Sequence, residues 1–254
     1  MDLLVSASDV LAGDVDEIQV AGALRADRRQ IVLKPLAIDT AAAHLEMRGS
    51  IGFAGGESTG EFDARIDEPG RLAPIVPAEW RPTGSIAAKG SWSGRLDRPR
   101  VSARLTGEEL MANGIRFESL AGDVEVVDDE LLVHDLRLSQ RDGQLRVDGR
   151  YNIRDRALST TVEGRGLRVT LRRLWSSASD DPSVADADLE SVSVDMRLEG
   201  PVLRPSGEVS LTADSVRLSG RDAGAVVARA HAAQGQIEVD LGAPRFGAEA
   251  SSTS

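Results

Sequence analysis

From Gly94 to Ile153 the chain alternates apolar and polar side chains with a period of two. Val101, Ala103 and Leu105 start the pattern. Leu120, Val124 and Val126 continue it, then Leu131 and Val133, Leu136 and Leu138, Leu145, Val147 and Tyr151. Arg, Asp, Glu, Ser and His fill most of the gaps. A period of two sends one set of side chains to one face of a sheet and the other set to the opposite face. Asn113-Gly114, Asp128-Asp129, Asp142-Gly143 and Arg154-Asp155 are turn signals that cut the run into short strands. The expectation is an antiparallel β meander with one apolar face.

The same pattern recurs. Shifted by 100 residues, Val20, Gly22 and Leu24 fall on Leu120, Gly122 and Val124; Leu45, Met47 and Gly49 fall on Leu145, Val147 and Gly149. Shifted by 106, Gly94, Pro99 and Leu105 fall on Gly200, Pro205 and Leu211. Shared Gly and Pro positions in a long ungapped match point to an internal repeat.

Three units follow from this pattern. Residues 1–68 form the first, truncated at its start, and a Pro-rich break covers 69–83. Residues 84–171 form the second unit and 172–190 a polar break. The third unit covers 191–254 and is truncated at its end. Leu72, Ile75, Val76 and Trp80 fit a short helical turn that caps the sheet, and Leu174-Trp175 fit a similar dock. Ala223–Ala233 is rich in alanine but aligns with Phe117–Val127, so it reads as strand. Both ends resemble mid-repeat sequence, as if cut from a longer array.

Composition narrows the function. The 254 residues are 41% hydrophobic and 28% charged, which is globular. A net charge of −11 argues against nucleic acid as a partner. There is no Cys, hence no disulfide or thiol chemistry. No apolar run is long enough to span a bilayer as a helix. His44, His134 and His231 sit in unrelated settings and read as solvent-facing. Asp128-Asp129, Glu108-Glu109 and Asp180-Asp181 read as turn residues rather than acid–base pairs. Gly52–Gly56 follows a strand but lacks the Lys of a phosphate loop, so it reads as a hairpin. No catalytic residue and no cofactor is assigned, and the chain is not expected to be an enzyme.

The remaining feature is physical. A continuous apolar face must be covered, and the chain offers no helices to cover it. The fold expected is all-β: an elongated, repetitive antiparallel sheet curled into an open apolar groove, taco-like, with short helical or loop breaks between units. About 20 strands at ~4.8 Å spacing would make it on the order of 100 Å long. Ile31 is assigned to a lipid-contacting groove, with equivalent stripes at Leu45/Met47/Ile51, Leu145/Val147/Tyr151, Val194/Met196/Leu198 and Ile237/Val239. Glu in place of Leu145 or Val147 is expected to obstruct the trough and spare the fold. Arg146, Asp148, Arg150 and Asp155 should face water and be replaceable. With three scattered Trp and one Tyr, no unit shows an aromatic or charged cluster the others lack, so binding is expected to be indifferent to head group.

Gly90-Ser-Trp-Ser-Gly94-Arg-Leu-Asp-Arg-Pro99-Arg-Val-Ser-Ala-Arg-Leu105 resembles the repeat of AsmA-like proteins, most closely the translocation and assembly module TamB family. Leu120-Ala-Gly122 and Gly143-x-Leu145-x-Val147-x-Gly149 continue the likeness over nearly the whole chain. The resemblance implies a bacterial envelope protein in the periplasm, anchored in the inner membrane by a helix this chain lacks. It implies a β groove that moves phospholipid toward the outer membrane and an Omp85-type outer-membrane barrel as partner. The alternative is a structural or chaperone-like scaffold that assists outer-membrane protein insertion and secretion by strand addition.

Overall fold

The computed structural model describes residues 2–12, 15–53, 55–69, 83–112, 115–171, 187–202, 204–218, 221–233 and 236–242. These form fifteen strands. The first six are β1 (Asp2–Ala12), β2 (Val15–Ala26), β3 (Gln30–Asp39), β4 (Ala43–Gly52), β5 (Glu57–Ile66) and β6 (Thr83–Arg95). The next six are β7 (Arg98–Ala112), β8 (Ile115–Val127), β9 (Glu130–Ser139), β10 (Gln144–Asn152), β11 (Ala157–Leu171) and β12 (Ala187–Pro201). The last three are β13 (Ser206–Leu218), β14 (Arg221–Ala233) and β15 (Gln236–Gly242). All lie in one antiparallel sheet, and every strand pairs only with its neighbours in sequence. The sheet does not close: β1 and β15 are its two edges.

Fifteen strands, rather than about 20, give a sheet about 70 Å long at ~4.8 Å per step. The alternating stretches formed strands throughout, including Ala223–Ala233, which lies within β14. The turns at Asp128-Asp129 and Arg154-Asp155 are where the sequence places them. Asn113-Gly114 and the caps expected at Leu72–Trp80 and Leu174-Trp175 lie outside the described residues. β12 begins at Ala187, inside the stretch read as a polar break, because Leu189 already belongs to the apolar face.

The repeat shows in the strand positions. β2, β3 and β5 start at residues 15, 30 and 57, and β8, β9 and β11 start at 115, 130 and 157. β14 and β15 start at 221 and 236, each 106 residues after β8 and β9. Irregularities repeat as well. The ladder skips Lys34-Pro35 in β3 and His134-Asp135 in β9, 100 residues apart. A bulge is where a proline, which has no N–H, does least harm to a ladder.

The register builds one face from the apolar set, because directly opposed residues project to the same side. Leu36, Met47 and Phe62 oppose one another in turn across β3, β4 and β5. Val124 and Val133 do so across β8 and β9, and Val162, Met196, Val209 and Ala230 across β11 to β14. The other face carries ion pairs between opposed strands: Arg48 with Glu61 at 2.6 Å, Lys89 with Asp63 at 2.8 Å and Arg104 with Asp123 at 3.1 Å. Exposed pairs of this kind contribute less than about 1 kcal/mol each, so they mark the solvent face more than they stabilise it.

Near one end, the long strands turn a corner. Gly84 (φ 107°), Glu109 (φ 52°), Gly166 (φ 64°) and Ser191 (φ 53°) interrupt β6, β7, β11 and β12. Just around that line Leu110, Phe117, Leu167, Leu189, Val192, Ala213 and Val216 are buried together, and Val192 is fully buried. The short β9–β10 hairpin stops at the corner, which lets β8 and β11 approach one another. The Gln140 amide bridges them: its NH₂ donates to the Arg116 carbonyl at 2.9 Å and the Arg168 carbonyl at 3.0 Å, and its oxygen accepts the Arg168 N–H at 2.7 Å.

The corner corrects one expectation. Leu145 packs against this buried cluster, so a charge there would strike the closed part of the structure. Val147, opposed to Leu136 and Val162, lies outside the cluster and is half-buried. Phe117→Ala should therefore cost about 3–5 kcal/mol, as expected of large-to-small changes in a packed core. Val147→Ala should cost well under half as much, because no closed cavity results. Denaturant melts of both variants check this; equal losses would mean that the whole face is a closed core.

Candidate functional site

The apolar face is the candidate site. Away from the corner most of its residues are neither buried nor fully exposed: Leu45, Met47, Phe62, Val147, Val162, Met196 and Val209 are half-buried, while Leu33 and Ala103 are buried. The total accessible surface is 17946 Å², against roughly 11,000 Å² for a compact globule of this mass. Among the described residues no second sheet and no α-helix lies over the face. The class that this geometry defines is an open, one-faced β groove, closed along one wall by the corner cluster and lined elsewhere by aliphatic side chains.

The stripe positions read from the sequence lie on this face. Ile31 opposes Ile51 in the β3–β4 ladder, next to the Asp27–Arg29 turn, and both are half-buried. Leu145, Val147 and Tyr151 follow along β10, and Val194, Met196 and Leu198 along β12. Val239, on the edge strand, is 56% exposed. The side chain of Ile237 lies outside the described set.

Two aromatic residues of the groove come together in a way their sequence spacing hides. Phe62 opposes Gly90 and Trp92 opposes Gly60, in the adjacent strands β5 and β6. A Cβ added at Gly60 would lie 2.1 Å from the Trp92 ring, and one at Gly90 would lie 2.7 Å from the Phe62 ring. Each ring thus lies over a bare backbone, and the floor stays shallow beneath two bulky side chains. One cross-strand row runs Gly60, Trp92, Val101, Val126, Leu131, Tyr151, Leu158. Trp92 and Tyr151 therefore share a row four strands apart.

The polar face is not uniformly replaceable. Arg146, Arg150 and Asp155 are exposed, but Asp148 is half-buried. Its carboxylate accepts the Asp135 N–H at 2.9 Å, within the β9 bulge where the ladder gives that donor no partner. Arg146 lies 2.9 Å from Asp135 and 3.0 Å from Asp148 and ties the bulge together.

All three histidines are exposed. Among the described residues, no group of three or more His, Asp or Glu side chains is placed to hold a metal ion. His44 Nδ1 lies 2.5 Å from Asp39 Oδ1 at the β3–β4 hairpin, and this hydrogen bond raises the imidazole above its ordinary pKa.

No protein-family model, curated protein or solved structure matches this chain. The assignment of function therefore rests on the geometry of the groove and the sequence pattern that built it.

Two outcomes follow. Asp148→Ala should cost about 1–2 kcal/mol, because the Asp135 N–H loses its acceptor, while Arg150→Ser should stay within about 0.5 kcal/mol; thermal melts of the two variants compare them. The His44–Asp39 contact stabilises the fold while His44 is protonated. A raised folded-state pKa means its contribution is full at pH below the ordinary imidazole range and fades as pH rises through it. His44→Gln should remove that slope from the pH dependence of Tm, and an unchanged slope would assign it to other groups.

Proposed function

We propose that this chain is a groove segment of a bacterial envelope protein and that it carries phospholipid acyl chains between the inner and outer membranes. The observation that carries the reading is the unbroken apolar face: one continuous set of opposed Val, Leu, Ile, Met and Ala side chains across the sheet, held half-exposed. Water is a poor occupant of such a surface. An acyl chain gains about 0.8 kcal/mol for each CH₂ it withdraws from water, and an extended groove offers it contact along its whole length. The AsmA-like pattern of Gly90–Leu105 supports the same reading and suggests a periplasmic location. An Omp85-type barrel as partner follows from that resemblance alone.

The test is photo-crosslinking in a bacterial periplasm. A crosslinker at Met47, Val147 or Met196 should capture phospholipid. The same group at Asp148, on the opposite face, should capture none. Capture at a single inward position would point to a discrete pocket, and capture at none would favour a scaffold for unfolded outer-membrane strands.

A further inference from the structure

Most of the hairpin tips along one rim of the groove share a composition. This rim lies opposite the corner and carries the turns β2–β3, β4–β5, β6–β7, β8–β9, β10–β11 and β12–β13, about 10 Å apart at two strands per step. Four of these tips expose a large apolar residue: Phe53, Leu96, Ile153 and Val202 are 40–61% exposed. Arginines sit beside them. Arg95 is held by Asp97 and Arg154 by Asp129. Arg28, Arg98, Arg156 and Arg204 form no ion pair among the described residues; Asp97, next to Arg98, is already engaged by Arg95 through two hydrogen bonds. These four arginines sit at four of the six tips; the β8–β9 tip between Arg98 and Arg156 is acidic, with Asp128, Asp129 and Glu130, so the positive charge belongs to individual tips rather than to the whole rim.

Just inside this rim runs the row that holds Trp92 and Tyr151. Tyr151 is the only tyrosine in the chain. Neither ring makes a side-chain hydrogen bond among the described residues, and both are half-buried. The indole N–H and the phenol O–H are therefore spare donors at the edge of an otherwise apolar floor. At the β6–β7 and β10–β11 tips the order from floor to rim is aliphatic, then amphipathic aromatic, then arginine. Aromatic residues with one polar end favour this intermediate level, between hydrocarbon and water.

We infer that this rim is the head-group side of the groove and that it recognises the phosphodiester of a glycerophospholipid whose acyl chains lie on the floor. At these two tips the layers match that molecule in order and in charge. A lipid at the β6–β7 tip meets the aliphatic floor with its hydrocarbon, the Trp92 N–H with an ester carbonyl and Arg98 with its phosphate; a second at the β10–β11 tip, about 20 Å away at ~4.8 Å per strand, meets Tyr151 and Arg156 in the same way. Guanidinium suits phosphate through paired N–H donors. The inference rests on the groove reading and adds to it a preference for phosphate-bearing lipid, which the sequence pattern alone did not suggest.

The experiment uses the full chain carrying W80F and W175F, so that Trp92 is the sole tryptophan and its fluorescence reports binding. Two probes share the same short acyl chains: phosphatidylglycerol and the matching diacylglycerol, which lacks phosphate. R98S/R156S should weaken phosphatidylglycerol about tenfold, the scale of lost charge-assisted hydrogen bonds, and leave diacylglycerol unchanged. Arg141→Ser, on the opposite rim, should change neither. If R98S/R156S fails to fold, R28S/R204S carries the same comparison. Unchanged phosphatidylglycerol affinity in the rim variant overturns the rim assignment and leaves the groove reading intact. An equal loss in Arg141→Ser, or displacement of the lipid by excess inorganic phosphate, overturns it in favour of bulk charge or a free-anion site. Binding of neither probe by the parent chain overturns the groove reading together with this one.

Discussion

A single sheet with one apolar face, and no second layer among the described residues, shields that face by bending over it. Every strand here pairs with its chain neighbours alone, and among the described residues no distant segment returns to cover the floor. The bend is supplied at the line of interruptions through Gly84, Glu109, Gly166 and Ser191. Two of these residues are not glycine and hold a left-handed backbone that costs them on the order of 1 kcal/mol each. The buried cluster around Val192 forms at that line and offsets the strain. Elsewhere the face stays half-open, and the difference between closed corner and open floor is what makes a groove rather than a sandwich.

The short β9–β10 hairpin shows how local length controls this shape. β8 and β11 are 13 and 15 residues long, while β9 and β10 have 10 and 9. Beyond the point where the short pair ends, the long pair would face one another with unmatched backbone groups. Gln140 supplies the missing rung, donating to two carbonyls and accepting one N–H. A side-chain amide has a carbonyl acceptor like a peptide group's and one N–H donor more, so it can stand in for one.

Much of the architecture was legible because alternation with a period of two has one physical reading, and because turn signals fell where strands had to end. The β14 strand is instructive. Its alanines favour helix, yet its repeat partner β8 fixed it as strand, and the ladder with β13 confirms that. The corner was not legible: Glu109 and Ser191 carry no signal for a left-handed backbone, and the bulges shift the alternation by one residue just where the core forms. Leu145 looked like open floor because the cluster it packs against forms only once that corner is made. The Trp92–Tyr151 row was hidden for another reason. It exists only after four successive registers are set, and no local window of sequence contains them. Asp148 looked like any outward carboxylate until the β9 bulge left the Asp135 N–H in need of an acceptor.

Strand pairing between chain neighbours alone has a consequence for how such a molecule is assembled. Each hairpin can form as soon as its second strand exists, without waiting for a partner far along the chain, so the entropic cost of closing long loops never arises. Growth proceeds at one edge, and the last strand formed is always the template for the next. Until that successor arrives, its backbone donors and acceptors are open to any extended peptide nearby, which is the circumstance in which sheets misassociate. Charged residues on the outward side of each strand, such as Arg104 and Asp123, keep the exposed edge from being apolar on both faces. The same linear arrangement means that pulling on one end would strip strands in order, each releasing only the contacts it shares with a single neighbour.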